Sequence, residues 1–247
     1  MATITVIVIT NNEEQNLPRM LASVKFADEI IINDSGSRDR TLEIARQHNC
    51  NIIQSEFAGF GAAKQAALNH AKSDWVLSLD ADEEIDATLA DSIKMAIASP
   101  RFDSYEINRK SQFLGRWMLH SGWYPDYLPR LFRHDRGRFT SDTVHERIEI
   151  DGAKGRLEGH ILHYTDPDIE HYLEKLNRYT TLSADSLERQ GRRFKTLDIL
   201  VKPPANFIKM YFLKSGFRDG IQGLILALLS SFHVLCKYAK LWERQRR

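Results

Sequence analysis

Four short apolar runs, each followed by a stretch with helical spacing, constrain this chain more than anything else in it. "TVIVI" (residues 5–9) is continuous, as expected of a strand covered on both faces, and Leu17, Met20, Leu21 and Val24 then recur at helical spacing. "EIIIND" (29–34) reads as a second strand, followed by a helix in "DRTLEIARQH" with Ser37 and Asp39 as capping candidates. "NIIQS" reads as a third strand, "GAAKQAALNHA" as a helix, "WVLSLD" (75–80) as a fourth strand and Asp86 to Ala98 as a further helix. Strand, helix, strand, helix dictates parallel pairing in a layered α/β fold, where ligands sit outside the carboxyl ends of the strands. Three segments should therefore converge on one crevice: "TNNEE", "NDSGSRD" and "DADEE".

After Pro100 the pattern changes. "SYEINRKSQFLG", "DYLPRLFRH" and "VHERIEI" read as strands without regular intervening helices, so the sheet should be mixed. "DIEHYLEKLNRYTTLSADSLERQ" reads as a long amphipathic helix. With 43% hydrophobic residues the chain can bury a substantial core. Its two cysteines, Cys50 and Cys236, lie far apart without ligand spacing, which argues against a disulfide framework or a structural zinc site and fits a reducing compartment. "MATITVIVIT" has no basic region ahead of its apolar run and reads as the first strand, not a signal peptide. The net charge of +1 hides an asymmetry. From Arg189 onward there are 13 Lys/Arg and 3 Asp/Glu, against 21 and 30 in residues 1–188. An acidic body with a basic tail points the tail at something anionic; on charge alone, a membrane and nucleic acid both fit.

"DADEE" poses the chemical question. Four carboxylates within five residues repel one another unless something cationic sits among them. Asp80 ends a strand, and Asp82 follows two residues later, so both can aim at one point. Magnesium and manganese prefer oxygen donors, and magnesium typically takes one or two carboxylates plus phosphate and water. A D-x-D at a strand end therefore suits a metal–diphosphate complex. Asp34 also ends a strand and can accept hydrogen bonds from a nucleobase or ribose, while Ser35, Gly36 and Ser37 turn the chain tightly.

Taken in order, "VIVITNNEEQNLPRMLASV", "DEIIINDSGSRDRT", "GFGAAKQAAL" and "WVLSLDADEE" resemble the inverting family 2 glycosyltransferases of GT-A fold. The resemblance implies an α/β, Rossmann-like domain with a mixed central sheet over residues 1–190 and a C-terminal helical extension over 191–247. It implies that Thr10, Asn11 and Glu13 line the nucleotide pocket, that Asp34 contacts the uracil or ribose, and that Lys64 lies near the nucleotide. Asp80 would sit beside ribose and metal, and Asp82 would ligate Mg2+ or Mn2+. "VHERIEI", "HILHYT" and "HYLEKLNRYTTLSA" are similar to the small bacterial enzymes of the lipopolysaccharide inner core, above all those adding β-1,4-glucose to a core heptose. For an inverting reaction the base must lie across the sugar from the diphosphate, so the D-x-D cannot supply it. Asp126, Asp142 and Glu146 are candidates; the family pattern favours Glu146, with Asp142 next. A late histidine completes the metal shell in many relatives of this fold. His163 matches that position, with His145 and His160 as competitors. Trp117, Trp123 and Tyr124 could stack on a sugar.

The tail sets the remaining expectations. Pro203 and Pro204 suit a helix start. Phe207, Ile208, Tyr211 and Phe212 share a face near Lys202, Lys209 and Lys214, and residues 221–236 are apolar but interrupted by Gln222, Ser230, Ser231 and His233. This run falls short of the ~20 residues of a spanning helix and suits an interfacial or partly buried hairpin. The expected function is metal-dependent transfer of a hexose, glucose foremost, from a UDP-sugar to a lipid-anchored core heptose. The expected partners are that donor, the lipid-anchored oligosaccharide acceptor and an anionic membrane surface, with no nucleic acid; the expected place is the cytoplasmic face of a bacterial inner membrane. The rivals are a transferase of the same fold acting on another lipid-linked or surface glycan, a nucleotidyltransferase, and a non-catalytic membrane-bound sugar-nucleotide sensor. A nucleotidyltransferase should carry a Gly-rich basic loop where this chain has the acidic "TNNEEQN".

Overall fold

The computed structural model of the protein describes residues 2–140 and 147–246. It divides into two compact units, the first formed by residues 1–109 and 126–163, the second by 110–125 and 164–247. The boundary expected at residue 190 falls inside the second unit.

The first unit opens with β1 (Ile4–Thr10), which pairs in parallel with β2 (Glu29–Asp34) on one side and β4 (Trp75–Asp80) on the other. Between them run α1 (Leu17–Ser23), α2 (Thr41–Gln47), the edge strand β3 (Asn51–Gln54) and α3 (Phe60–His70). The acidic segment then forms a strand of its own, β5 (Glu83–Ile85), before α4 (Ala87–Ala98), whose N-terminal Leu89 N–H is capped by Asp86. The rest of the chain supplies β6 (Ser104–Phe113), β7 (Arg116–Trp117), β8 (Tyr127–Arg133), β9 (Gly137–Phe139), β10 (Ile148–Ile150) and β11 (Lys154–Asp166). Of the strand expected over 144–150, residues 144–146 lie outside the described residues. Among the described residues the main sheet runs β3-β2-β1-β4-β8-β6-β11-β5. It is parallel as far as β4 and antiparallel from β8 onward. The mixed character read from the loss of helical spacing after Pro100 is what forms.

Period-2 geometry sorts the apolar runs between two faces. Val6, Val8, Ile32, Leu77 and Leu79 face a core built with α1, α2 and α4, while Ile7, Ile31 and Val76 face α3, Phe132 and Phe139. Each central strand is buried on both sides, which is why these runs are continuous.

The second unit is helical. α5 (Ile169–Arg189) is capped by Asp168 and buries Leu176, Thr180 and Ala184, four residues apart. α6 (Thr196–Leu200) and α7 (Lys202–Ile208) follow; α7 carries Pro203 and Pro204 in its first turn. A π turn (Lys209–Leu213) and a 3-10 turn (Gly216–Asp219) lead into α8 (Gly220–Arg244), which packs on α5 and α7. Gly216–Arg244 is long and apolar enough to cross a membrane by length and composition, longer than the apolar run alone suggests. The face expected to hold Phe207, Ile208, Tyr211 and Phe212 divides. Phe207 and Tyr211 stack against each other and pack on Phe113, Met118 and Met210, whereas Ile208 and Phe212 are exposed. Trp123 joins the same core beside Phe113, and Trp117 packs on Tyr164.

Gly223 lies where α8 meets the 3-10 turn, and a Cβ there would collide with the Gly216 carbonyl oxygen. Helix propensity alone rewards Gly→Ala by about 1 kcal/mol, but overpacking costs about 1–3 kcal/mol. Gly223→Ala is expected to lower the denaturant midpoint; a raised midpoint would show that the close approach is dispensable.

Candidate active site

Three strands deliver their last residues to one edge of the sheet: Thr10 from β1, Asp34 from β2 and Asp80 from β4. β1 and β4 adjoin where the chain reverses its direction of winding, the position at which α/β sheets open a binding crevice. Thr10 and Asp34 are paired in register, and the Thr10 hydroxyl donates to Asp34 Oδ2 at 2.9 Å. Asp34 is fully buried and accepts three more hydrogen bonds, from the N–H groups of Gly36 (3.0 Å) and Ser37 (2.9 Å) and from the Ser37 hydroxyl (2.5 Å). Its observed work is to shape the Ser35–Ser37 turn. The Ser37 oxygen in turn accepts the Asn12 N–H at 2.8 Å, and the exposed Asn11 side chain donates to the Ser35 carbonyl at 3.2 Å, so the first two loops are tied together. Asp39, not Ser37, serves the start of α2, accepting from the Thr41 N–H at 3.0 Å.

Lys64 is only 5% exposed, and its Nζ lies 2.9 Å from Asp80 Oδ1. Arg130 of β8, 7% exposed, occupies the other side of that carboxylate. One of its Nη atoms reaches Asp80 Oδ2 (3.2 Å) and Glu83 Oε1 (2.7 Å), and the other donates to the Ser78 carbonyl (3.3 Å). Glu83 is fully buried and also accepts the Asp80 N–H at 2.9 Å. Arg109 extends the network, lying 3.5 Å from Glu83 and gripping Asp126 with two nitrogens at 3.0 and 2.8 Å. Glu84 pairs with Arg19 at 3.6 Å. The remaining acid of the segment, Asp82, meets His163 Nε2 at 3.2 Å. His163 comes from β11, where it is paired in register with Glu83. His160 is instead held by Asp86 Oδ2 at 3.2 Å.

The field in this corner is uneven. Burial raises the Glu13 carboxyl above its ordinary value; the Asn16 hydrogen bond opposes this, and the charges of Asp82, Asp39 and Asp80 add to it. Burial also pushes Asp80 upward, but Lys64 and Arg130 outweigh it and hold that carboxyl well below the carboxylate range. Asp80 is therefore a committed anion. Among the described residues no group of three or more His, Cys, Asp or Glu is arranged to hold a metal ion. The Asp82–His163 pair fits one held jointly with a ligand: one carboxylate and one imidazole, with diphosphate oxygens and water completing the shell. The structure thus brings together Thr10, Asn11, Glu13, Asp34, Lys64, Asp80, Asp82 and His163 in the first unit. Glu146, Asp142 and the competing His145 lie outside the described residues. Sequence reasoning passed over Glu83, Arg109 and Arg130. The signal available for Arg130 was a charged residue within the otherwise apolar "YLPRLF".

The strand ends gather carboxylates with an imidazole beside them, an arrangement that suits a phosphate-bearing substrate held together with a cation. Residues 5–198 match the profile of Glycosyl transferase family 2, and the chain belongs to that family. It is a nucleotide-sugar glycosyltransferase of hexosyltransferase type. The lipopolysaccharide core biosynthesis glycosyltransferase LpsC of Rhizobium meliloti is 28% identical over 250 residues, covering 96% of this chain and 91% of LpsC. An uncharacterized glycosyltransferase of Rickettsia typhi is 29% identical over 256 residues, covering 98% of this chain and 88% of its own. In fold, the chain is similar to the mannosyltransferase PcManGT of Pyrobaculum calidifontis, with a TM-score of 0.59 at 16% identity over 98% of this chain and 88% of that one.

Arg130→Met would leave Glu83 buried and poorly paired, an arrangement that typically costs about 3–5 kcal/mol. The denaturant midpoint is expected to fall accordingly, and Glu83→Gln in the same chain is expected to recover a large part of the loss. An unchanged midpoint in Arg130→Met would refute the structural weight given to the cluster.

Proposed function

We propose that the protein transfers a hexose, glucose foremost, from a UDP-sugar to a heptose of a lipid-anchored lipopolysaccharide core, with inversion at the anomeric carbon. The observation that carries this reading is the convergence of Thr10, Asp34 and Asp80 at adjoining strand ends with the Asp82–His163 pair beside them. The name of LpsC supports the lipopolysaccharide acceptor. The donor sugar rests on the resemblance of the second half of the chain to core glucosyltransferases.

In this scheme Thr10, Asn11 and Glu13 line the nucleotide pocket, and the turn organised by Asp34 faces the uracil and ribose. Asp82 and His163 would hold Mg2+ or Mn2+, which supplies positive charge to the diphosphate as it leaves; PcManGT, of the same fold, has been crystallised with GDP-mannose and Mn2+. Asp80 would lie beside the ribose and the metal, kept ionised by Lys64 and Arg130. The acceptor hydroxyl oxygen attacks the anomeric carbon from the face opposite the diphosphate, and the bond to UDP breaks with its electron pair on the leaving oxygen. The hydroxyl proton passes to a carboxylate, assigned by family resemblance to Glu146 with Asp142 as the alternative. The reaction takes place at the cytoplasmic face of the inner membrane, where the soluble donor meets a lipid-held acceptor.

A screen of sugar nucleotides by UDP release, with truncated core oligosaccharides as acceptors and linkage analysis of the product, tests the reading. Turnover with UDP-glucose and a heptose-terminated core is expected; UDP-sugar binding without acceptor-stimulated release would favour the sensor instead. Asp82→Asn is expected to stay folded and lose activity by orders of magnitude, with donor binding, measured by calorimetry, no longer responding to Mn2+. Glu146→Gln is expected to keep donor affinity and lower kcat by roughly 10²–10⁴, with a smaller effect from Asp142→Asn. The reverse order would transfer the base role to Asp142.

A further inference from the structure

The turn joining α7 to α8 presents a surface that the transfer reaction does not use. Within residues 208–221, Ile208 is 51% exposed, Phe212 56%, Leu213 75%, Phe217 52% and Ile221 62%. Such a concentration of large exposed apolar side chains marks an interaction site. Farther along α8, Leu228 and Phe232 are exposed at helical spacing from Ile221, so the apolar face continues up the helix.

This exposure is built into a tied backbone. The Ser121 N–H donates to the Lys214 carbonyl at 2.9 Å, and Ser215 adopts a left-handed φ of 54°. Asp219 accepts the Leu119 N–H at 3.3 Å and the His120 N–H at 3.0 Å, and meets His120 Nδ1 at 2.8 Å. That last set of contacts has an electrostatic consequence. Asp219 is the one acid in the sequence between residues 199 and 242, and it is 1% exposed. With its carboxylate turned inward, the outside of the turn shows only cations: Lys209, Lys214 and Arg218, all exposed. Lys202, which the sequence placed among the surface cations, is occupied internally, with Nζ 2.8 Å from Asp198 and 2.6 Å from the Tyr238 hydroxyl.

We infer that this turn is the element by which the protein enters an anionic membrane surface, its apolar side chains below the headgroups and Lys209, Lys214 and Arg218 among the lipid phosphates. The inference rests on the reading of the acceptor as lipid-anchored and names the partner surface it requires. An array of exposed cations around an apolar tip is complementary to anionic headgroups over hydrocarbon. The C-terminal end of α8 is tied to α5: Ala184 packs with Tyr238 and Leu241, and the Lys240 ammonium bonds the Asn177 carbonyl and the Thr180 and Thr181 hydroxyls at 2.8–2.9 Å.

The test is co-sedimentation of the full-length chain with vesicles of phosphatidylcholine alone and of phosphatidylcholine mixed with phosphatidylglycerol, across a salt series. Wild type is expected to prefer the anionic vesicles, with affinity falling as salt rises. Combined Lys209→Glu, Lys214→Glu and Arg218→Glu is expected to weaken anionic binding by on the order of a hundredfold or more. Combined Phe212→Ser, Leu213→Ser and Phe217→Ser is expected to abolish retention on both vesicle types. UDP release with a short soluble acceptor should survive in both variants and reports that they are folded. The inference is overturned if wild type ignores anionic vesicles, if both variants bind as wild type does, or if light scattering shows the apolar turn pairing copies of the chain in place of lipid. Vesicle binding through the turn without transfer to a lipid-linked acceptor would sink the proposed acceptor and leave this inference standing.

Discussion

The buried guanidinium of Arg130 is the contact on which the strand-end edge of the first unit depends. Charges this deep are costly unless each finds a partner with good geometry. Arg130 can satisfy several at once because its donors form a rigid planar fork. It joins Asp80 at the end of β4, Glu83 at the start of β5 and the Ser78 carbonyl within β4. Two strands, β4 and β5, are thereby pinned by one side chain from β8.

That cluster explains why the chain can release four carboxylates directly from a buried strand. Asp80 is neutralised by Lys64 and Arg130, Glu83 by Arg130 with Arg109 nearby, and Glu84 by Arg19. Asp82 differs in kind, since its partner is an imidazole. The protein's own cations neutralise Asp80, Glu83 and Glu84, whereas Asp82 faces an imidazole. Burial, with smaller contributions from Asp82, Asp39 and Asp80, raises the Glu13 carboxyl beside them.

The second unit handles its acids similarly but to a different end. Asp198 is enclosed by Arg192 and Lys202, and Asp219 by His120 and backbone N–H groups. Burying these carboxylates consumes some of the tail's positive charge from within and leaves the α7–α8 turn uniformly cationic. Net charge counted along the chain therefore does not tell which lysines are already paired, as Lys202 demonstrates.

Patterns that repeat along the chain were legible without coordinates. Continuous apolar runs identified β1, β2 and β4 and their parallel order, helical spacing identified α1, α4 and α5, and the strand-end positions of Asp34 and Asp80 located the crevice, because periodicity and local chemistry are properties of neighbouring residues. The D-x-D was named from its clustered carboxylates at a strand end, and Lys64 and His163 on family resemblance; what each touches depended on folding. Asp34 turned out to be consumed by its own turn, and Lys64 to be a buried partner of Asp80. Glu83, Arg109 and Arg130 carried no local pattern, since their meaning lies in pairings between residues 26 and 47 positions apart. The sequence by itself determined the layers of the fold, the strand-end edge where the candidate residues gather and the sign of the tail's charge. Only the tertiary structure decided which carboxylates are neutralised and which apolar side chains remain outside, because both follow from contacts between residues distant in the chain.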